Sequence, residues 1–321
     1  MRLPFVHRVT KYDPADRDEH GHYVGAEDTG CDHGPVEAAY LAAVGAFAAE
    51  AGVRELAVRE PILPWRDSWR EGDPAGEPPL PAGLAELYDG LVVPPATALE
   101  LVRGMLRGDP GGYTLEAEGR FFVEVGWDQY VYVGSAVPGD VAVRRTAELG
   151  LFAERISGSA YERDRDEEPG EQCPADDGFW ARLAQAVADG QAGLLEEGYV
   201  HNLTRWHRLT PSSLPAVRAG LAPRAMIGAW PAPTAGVGAV LAALSTEESV
   251  EVVWEDAEGR LCRTSADEED FDRLRPALAR ARSALLLPAA ADERRPLLSA
   301  VLPDADGVLR ARWRTVPGSL D

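Results

Sequence analysis

The chain has 321 residues, of which 45% are hydrophobic and 7% aromatic, enough apolar material for a sizeable core and a length that favours two domains. Its 53 acidic residues outnumber 32 basic ones, for a formal net charge of -21; this opposes nucleic-acid binding, which depends on cations that displace condensed counterions. Lys11 is the sole lysine, so Schiff-base chemistry or a phosphate-loop lysine has one position to use, because arginine keeps its proton.

In chain order, FVHRVTKY (5–12) has the composition of a strand, and GHYVG (21–25) resumes a short β-like pattern. Gly34-Pro35 precedes a helix in which Val36, Tyr40, Val44 and Phe47 recur at helical spacing, with Asp32 near its start and Gly52 at its stop. LAV (56–58) reads as a short buried strand, and 61–95, rich in proline and glycine, as an ordered loop. Leu99, Val102 and Leu106 mark a second helix over 95–106. YTLEAEGRFFVEVGWDQYVYVGS (113–135) is broken at Glu118-Gly119 and Gly126-Trp127-Asp128, which predicts a three-stranded antiparallel meander. A helix over 140–149 follows.

The charged, turn-rich segment 161–178 reads as an acidic linker. Beyond it, 179–197 is helical in pattern, 201–209 irregular, and TPSSLP (210–215) opens another linker. The last hundred residues show a strand at 224–230, a helix near 237–244, a hairpin over 250–264, a helix over 271–286 and a hairpin over 297–313. The expectation is an α+β protein: an antiparallel meander packed with helices in a domain over 1–160, a helix and connector over 179–215, and a smaller α+β domain over 216–321.

Cys31, Cys173 and Cys262 are odd in number and unpaired in spacing, which fits a reducing cytoplasm better than a disulfide framework. The opening residues lack an apolar leader, and no run is long enough to span a bilayer.

DPADRDEHGHYVGAED (13–28) has the outline of a calcium loop, with Asp16, Asp18, His20 and Gly21 at positions one, three, five and six and Glu27 at twelve. His20 supplies nitrogen where a hard cation wants oxygen, and the preceding strand stands where such a loop needs a helix. The better reading is a polar turn. His20, His22 and His33 with Cys31 and Asp32 offer zinc or iron ligands, without recognised spacing. No metal and no cofactor are assigned.

VTKYDP (9–14), GHY (21–23), GWDQYVYVG (126–134) and GLF (150–152) resemble an uncharacterised bacterial family that starts with a TKYDP-like strand and later carries a Gly-aromatic-Asp-x-Tyr-x-Tyr-x-Gly strand. The resemblance covers about the first 160 residues. Actinobacterial members are sometimes labelled RNA-binding, so it implies RNA as one ligand to test. GRFFVEV (119–125) partly matches an RNA-recognition strand, and Tyr130 and Tyr132 share a face by two-residue periodicity. Glu124 and Asp128 flank these aromatics without a basic cluster for phosphates.

Enzyme signatures are absent from the sequence: it has no G-x-S-x-G, G-x-x-x-x-G-K or H-E-x-x-H, and Gly236-x-Gly238 opens no dinucleotide fingerprint. His201, Arg205 and His207 beside Trp206 offer an anion contact or a junction, and Glu196-Glu197 and Asp176-Asp177 read as solvated acids. An unrecognised metal-dependent enzyme is one alternative. The leading expectation is an acidic recognition protein, immunity-like or regulatory, that binds a basic protein partner through Tyr12, Asp13, Tyr23, Trp127, Asp128, Tyr130 and Tyr132. RNA binding is the second.

Overall fold

In a computed structural model of the chain, the described residues are 3–20, 22–25, 33–63, 80–81, 83–109, 111–126, 129–159, 172–244, 249–290, 292–311, 313 and 315. Among them lie seven α-helices and fourteen strands whose ladders are all antiparallel, an α+β architecture. They divide into two compact units, one within Met1–Leu63 and Leu80–Glu168, the other within Pro169–Asp321. No described helix is long and apolar enough to cross a membrane.

The first unit contains β1 (Phe5–Thr10), α1 (Pro35–Glu50), β2 (Leu56–Ile62), β3 (Val92–Val93), α2 (Pro95–Leu106), β4 (Gly112–Ala117), β5 (Phe121–Val125), β6 (Val131–Ser135), α3 (Asp140–Glu148) and β7 (Phe152–Ile156). One sheet runs in the order β3-β2-β4-β5-β6-β1-β7. The predicted meander is β4-β5-β6, and the first strand joins its far side by pairing Val9 with Val131 and Val6 with Gly134.

Two-residue periodicity sorts this sheet into two buried faces. His7, Val9, Phe121, Val123, Val131 and Val133 share the face that carries Phe47 of α1 against His7 at 5.3 Å between ring centroids. Val6, Phe122 and Tyr132 cluster with Leu3 on the other. Phe122 lies across Gly134: a Cβ there would fall 2.0 Å from the ring. Each helix entry uses proline or glycine, with Pro35 opening α1, Pro95 opening α2 and Gly139, at φ +77°, preceding α3.

The second unit contains α4 (Asp177–Ala188), β8 (Leu194–Val200), β9 (Leu203–Arg208), α5 (Leu214–Gly220), β10 (Met226–Trp230), α6 (Val237–Ala243), β11 (Ser249–Glu255), β12 (Leu261–Asp267), α7 (Glu268–Leu278), β13 (Ser283–Pro288) and β14 (Leu298–Val301). Its sheets run β14-β10-β8-β9 and β12-β11-β13. Phe179, Trp180, Leu183 and Val187 of α4 pack on Leu195, Ile227 and Ala229 of the first sheet, while Phe271, Leu274 and Leu278 of α7 pack on Val250, Val252 and Trp254 of the second.

Several sequence expectations change here. Residues 194–197, expected at the end of a helix, form β8, and the expected irregular stretch 201–209 is a turn followed by β9. The helix of 271–286 stops at Leu278, and 283–286 belong to β13. Of the hairpin over 297–313, the first strand forms, and beyond it Asp304 and Val308 close a turn with no second strand among the described residues. TPSSLP is a hydrogen-bonded turn, in which Ser213 Oγ donates to the Arg208 carbonyl, that leads into α5.

Because β8 pairs with β10, residues 194–200 share a sheet with 226–230, so 179–215 and the C-terminal strands form one core. Residues 161–171 of the expected linker lie outside the described residues. Its end is packed: Val301 N–H donates to Cys173 O and Ala175 N–H to Val301 O, both within 2.9 Å, and Asp176 caps α4 by accepting from Phe179 N–H at 2.8 Å.

Candidate functional site

At the end of β1 the chain leaves the sheet and builds a short aromatic turn. The Tyr40 hydroxyl of α1 accepts from Lys11 N–H at 2.9 Å, and Thr10 Oγ1 accepts from Tyr12 N–H at 3.1 Å. Asp13 then caps a 3-10 turn over Pro14–Asp16 by accepting from Ala15 N–H at 2.9 Å. Arg17 bridges to Tyr23, and Val24 N–H returns to Asp16 O at 2.8 Å. The chain thus doubles back and sets Tyr23 on Tyr12, with ring centroids 4.8 Å apart and tilted by 48°.

Tyr130 meets the edge of Tyr12 at 6.1 Å. The Arg8 and Arg17 guanidinium carbons lie 5.3 and 5.4 Å from the Tyr130 ring centre, and Lys11 Nζ lies 5.1 Å from that of Tyr12. Arg8 also binds Glu154 at 2.6 Å. Val24 is 66% exposed beside the tyrosines, and Asp16 and Glu19 are exposed in the same turn.

Of the site residues expected from sequence, Tyr12, Tyr23 and Tyr130 come together. Asp13 sits beside them as a cap, and Trp127 and Asp128 lie outside the described residues. Tyr132 is 6% exposed and belongs to the core cluster with Leu3, Val6 and Phe122. Phe121 and Phe122 are buried as well, so the expected RNA-recognition strand offers no open stacking face at these three rings.

The polar turn behaves as a turn. Asp18 Oδ1 accepts from the N–H groups of both His20 and His22, at 2.9 and 2.8 Å. The backbone donation from His22 leads in holding the Asp18 carboxyl below its usual range. Among the described residues no three His, Cys, Asp or Glu side chains are grouped to hold a metal ion. Cys31 and Asp32 lie outside them, and His33 is exposed.

The second unit holds what sequence reasoning missed. Glu196 and Glu197, expected as solvated acids, are 5% and 0% exposed because β8 is buried on both faces. Glu197 Oε2 lies 2.7 Å from His207 Nε2, and its Oε1 accepts from Ala222 N–H at 2.6 Å. Glu196 accepts from Trp230 Nε1 at 2.9 Å and Arg294 Nη1 at 2.6 Å. Arg294 Nη2 reaches Glu251, 7% exposed, at 2.9 Å, and Glu251 also accepts from Trp206 Nε1 at 3.2 Å. Burial pushes the Glu196 carboxyl above its usual range, against the opposing pull of Arg294. The expected anion contact is dispersed: Arg205 covers Tyr199 at 3.8 Å, and His201 stacks on Trp313 at 4.8 Å. The partners of Glu196 and Glu251 are up to 98 residues away, a separation that leaves no local signal.

A hollow of about 660 Å³ in the first unit is lined by Gly52, Val53, Arg54, Glu55, Ala117 and Arg120. It adjoins the C-terminal end of α1, whose carbonyl groups disfavour an anion, and Arg120 Nη1 already donates to Ala51 O at 3.4 Å. Comparison of the chain with models of known protein families, with curated proteins and with solved structures finds no match in any of the three.

Proposed function

We propose that the chain is an acidic, non-catalytic recognition protein that captures a basic protein partner through the turn carrying Tyr12, Tyr23 and Val24, with Asp16 and Glu19 as its charged rim. The observation that supports this reading most is that several arginines are engaged by carboxylates of the same chain. Arg8 binds Glu154, Arg107 binds Glu37, Arg224 binds Asp304, Arg260 binds Asp256 and Arg294 binds Glu196, all within 2.7 Å. Cations spent in such pairs are poor phosphate ligands, and 21 surplus negative charges remain. A field of that sign speeds encounter with a basic partner and repels nucleic acid. Two tilted tyrosines beside an exposed valine and two carboxylates suit an arginine or lysine side chain, which needs a flat apolar contact for its stem and an acceptor for its head.

The test uses an arginine-rich peptide and a single-stranded oligonucleotide as probes, titrated across salt. Peptide binding should weaken as salt rises, should fall in Tyr23→Ala and in Asp16→Arg/Glu19→Arg, and should survive the matched reversal Glu118→Arg/Glu148→Arg. Oligonucleotide binding at low salt, or equal losses from both charge reversals, would overturn the proposal.

A further inference from the structure

The Arg294 site has the composition of a receptor. Two buried carboxylates from different sheets, Glu196 on β8 and Glu251 on β11, each take one Nη of a single guanidinium, at 2.6 and 2.9 Å. Trp230 lies along its side, 5.5 Å from ring centre to guanidinium carbon, and the indole N–H groups of Trp230 and Trp206 hold the second oxygen of each carboxylate. A planar fork matches two acceptors placed in this way, whereas a compact ammonium does not.

The residue that fills the site fits it incompletely. Arg294 Nε is buried with no hydrogen-bond partner among the described residues, and a buried unpaired donor is unfavourable. Arg294 belongs to an irregular strap in which Asp292, Glu293 and Arg295 are exposed and the next buried residue is Pro296. Emptied of Arg294, the site would bury two carboxylates, with Arg263, 3.9 Å from Glu251, as a nearby cation. Such a site takes up a cation or protons.

We propose that the joint between the two sheets is a guanidinium-binding site, that Arg294 is its resident ligand, and that an arginine side chain from outside the chain takes its place when the strap withdraws. The proposal rests on the reading of a basic partner only for where that arginine comes from; the site itself is a property of the second unit.

The experiment uses the full chain carrying Arg294→Ala, with argininamide as probe and lysinamide as control. The variant should melt below the wild type. Argininamide should restore most of the lost Tm along a saturating curve, and lysinamide should act at least about tenfold more weakly, because it lacks the fork. No recovery, or equal recovery with both amides, would overturn the proposal whatever the aromatic turn binds. Should Arg294→Ala fail to fold, Arg294→Lys keeps the charge. Argininamide must then displace the lysine and shift the emission of Trp206 and Trp230, and an unchanged spectrum at saturating probe would overturn the proposal equally.

Discussion

Glu197 and His207 face each other across adjacent strands at 2.7 Å, with the carboxylate wholly buried and the imidazole at the margin of the core. The carboxylate also holds Ala222 N–H at 2.6 Å, just beyond α5, so one side chain ties two strands to the segment that follows the helix. Removing it orphans the Ala222 donor in a part-buried site. Glu197→Ala should therefore destabilise the second unit by about 1–3 kcal/mol, read by urea denaturation followed by tryptophan emission. Glu197→Gln, which keeps an acceptor, should cost less. Equal losses in the two variants would place the effect in packing instead of in the acceptor.

Phe122 and Gly134 face each other on paired strands, and any Cβ at Gly134 would lie 2.0 Å from the phenyl ring. Gly134→Ala should cost about 1–3 kcal/mol by overpacking. The loss should shrink when Phe122→Leu is combined with it, because the two substitutions act on one contact. Strict additivity in the double variant would show that the glycine serves another purpose. This glycine closes the GWDQYVYVG stretch (126–134), so its need is steric and local.

The first unit was legible because its strands alternate β-branched and aromatic residues over whole spans, as in 113–135, and its helices open with Pro35 and Pro95. The second was less so. LLEEGYV has two adjacent carboxylates in mid-strand, which reads as a solvated helix end until Arg294, Trp230, His207 and Ala222 supply partners from distant segments. ARSALL follows α7 with no glycine to mark the stop, so helical pattern runs on into β13. The tyrosine turn was half legible: Tyr12 and Tyr23 are close in sequence and meet, whereas Tyr132, two residues from Tyr130, is drawn into the core by Leu3 and Phe122.

His7 should make the first unit sensitive to acid. It is 5% exposed, packs on Phe47, and its Nδ1 has no hydrogen-bond partner among the described residues. Burial, then the neighbouring Arg155, hold its pKa below the ordinary 6.5, with Asp140 acting in the opposite sense. A base whose pKa is depressed in the folded state binds fewer protons there than when unfolded. The stability it contributes is therefore full above about pH 6.5 and is lost as pH falls through the folded value. The urea midpoint of the wild type should drop across that window, and His7→Gln should flatten the drop. A pH profile unchanged by the substitution would assign the acid sensitivity to other groups.

Gly25 offers a way to move the aromatic turn without touching the core. A Cβ at this position would meet the Tyr23 hydroxyl at 2.3 Å. The clash falls on the far end of a side chain that is only half-buried, so the ring can swing aside. Gly25→Ala should leave stability within about 0.5 kcal/mol of the wild type, the range for surface substitutions. The displaced ring should nevertheless lose its 4.8 Å contact with Tyr12, and with it the paired aromatic face proposed to receive a basic side chain. Binding of the arginine-rich peptide should then fall in Gly25→Ala about as far as in Tyr23→Ala, with the melting temperature unchanged. Undiminished peptide binding in a variant whose Tyr23 resonances have shifted would separate the tyrosine pair from recognition and leave the charged rim, Asp16 and Glu19, to account for it alone.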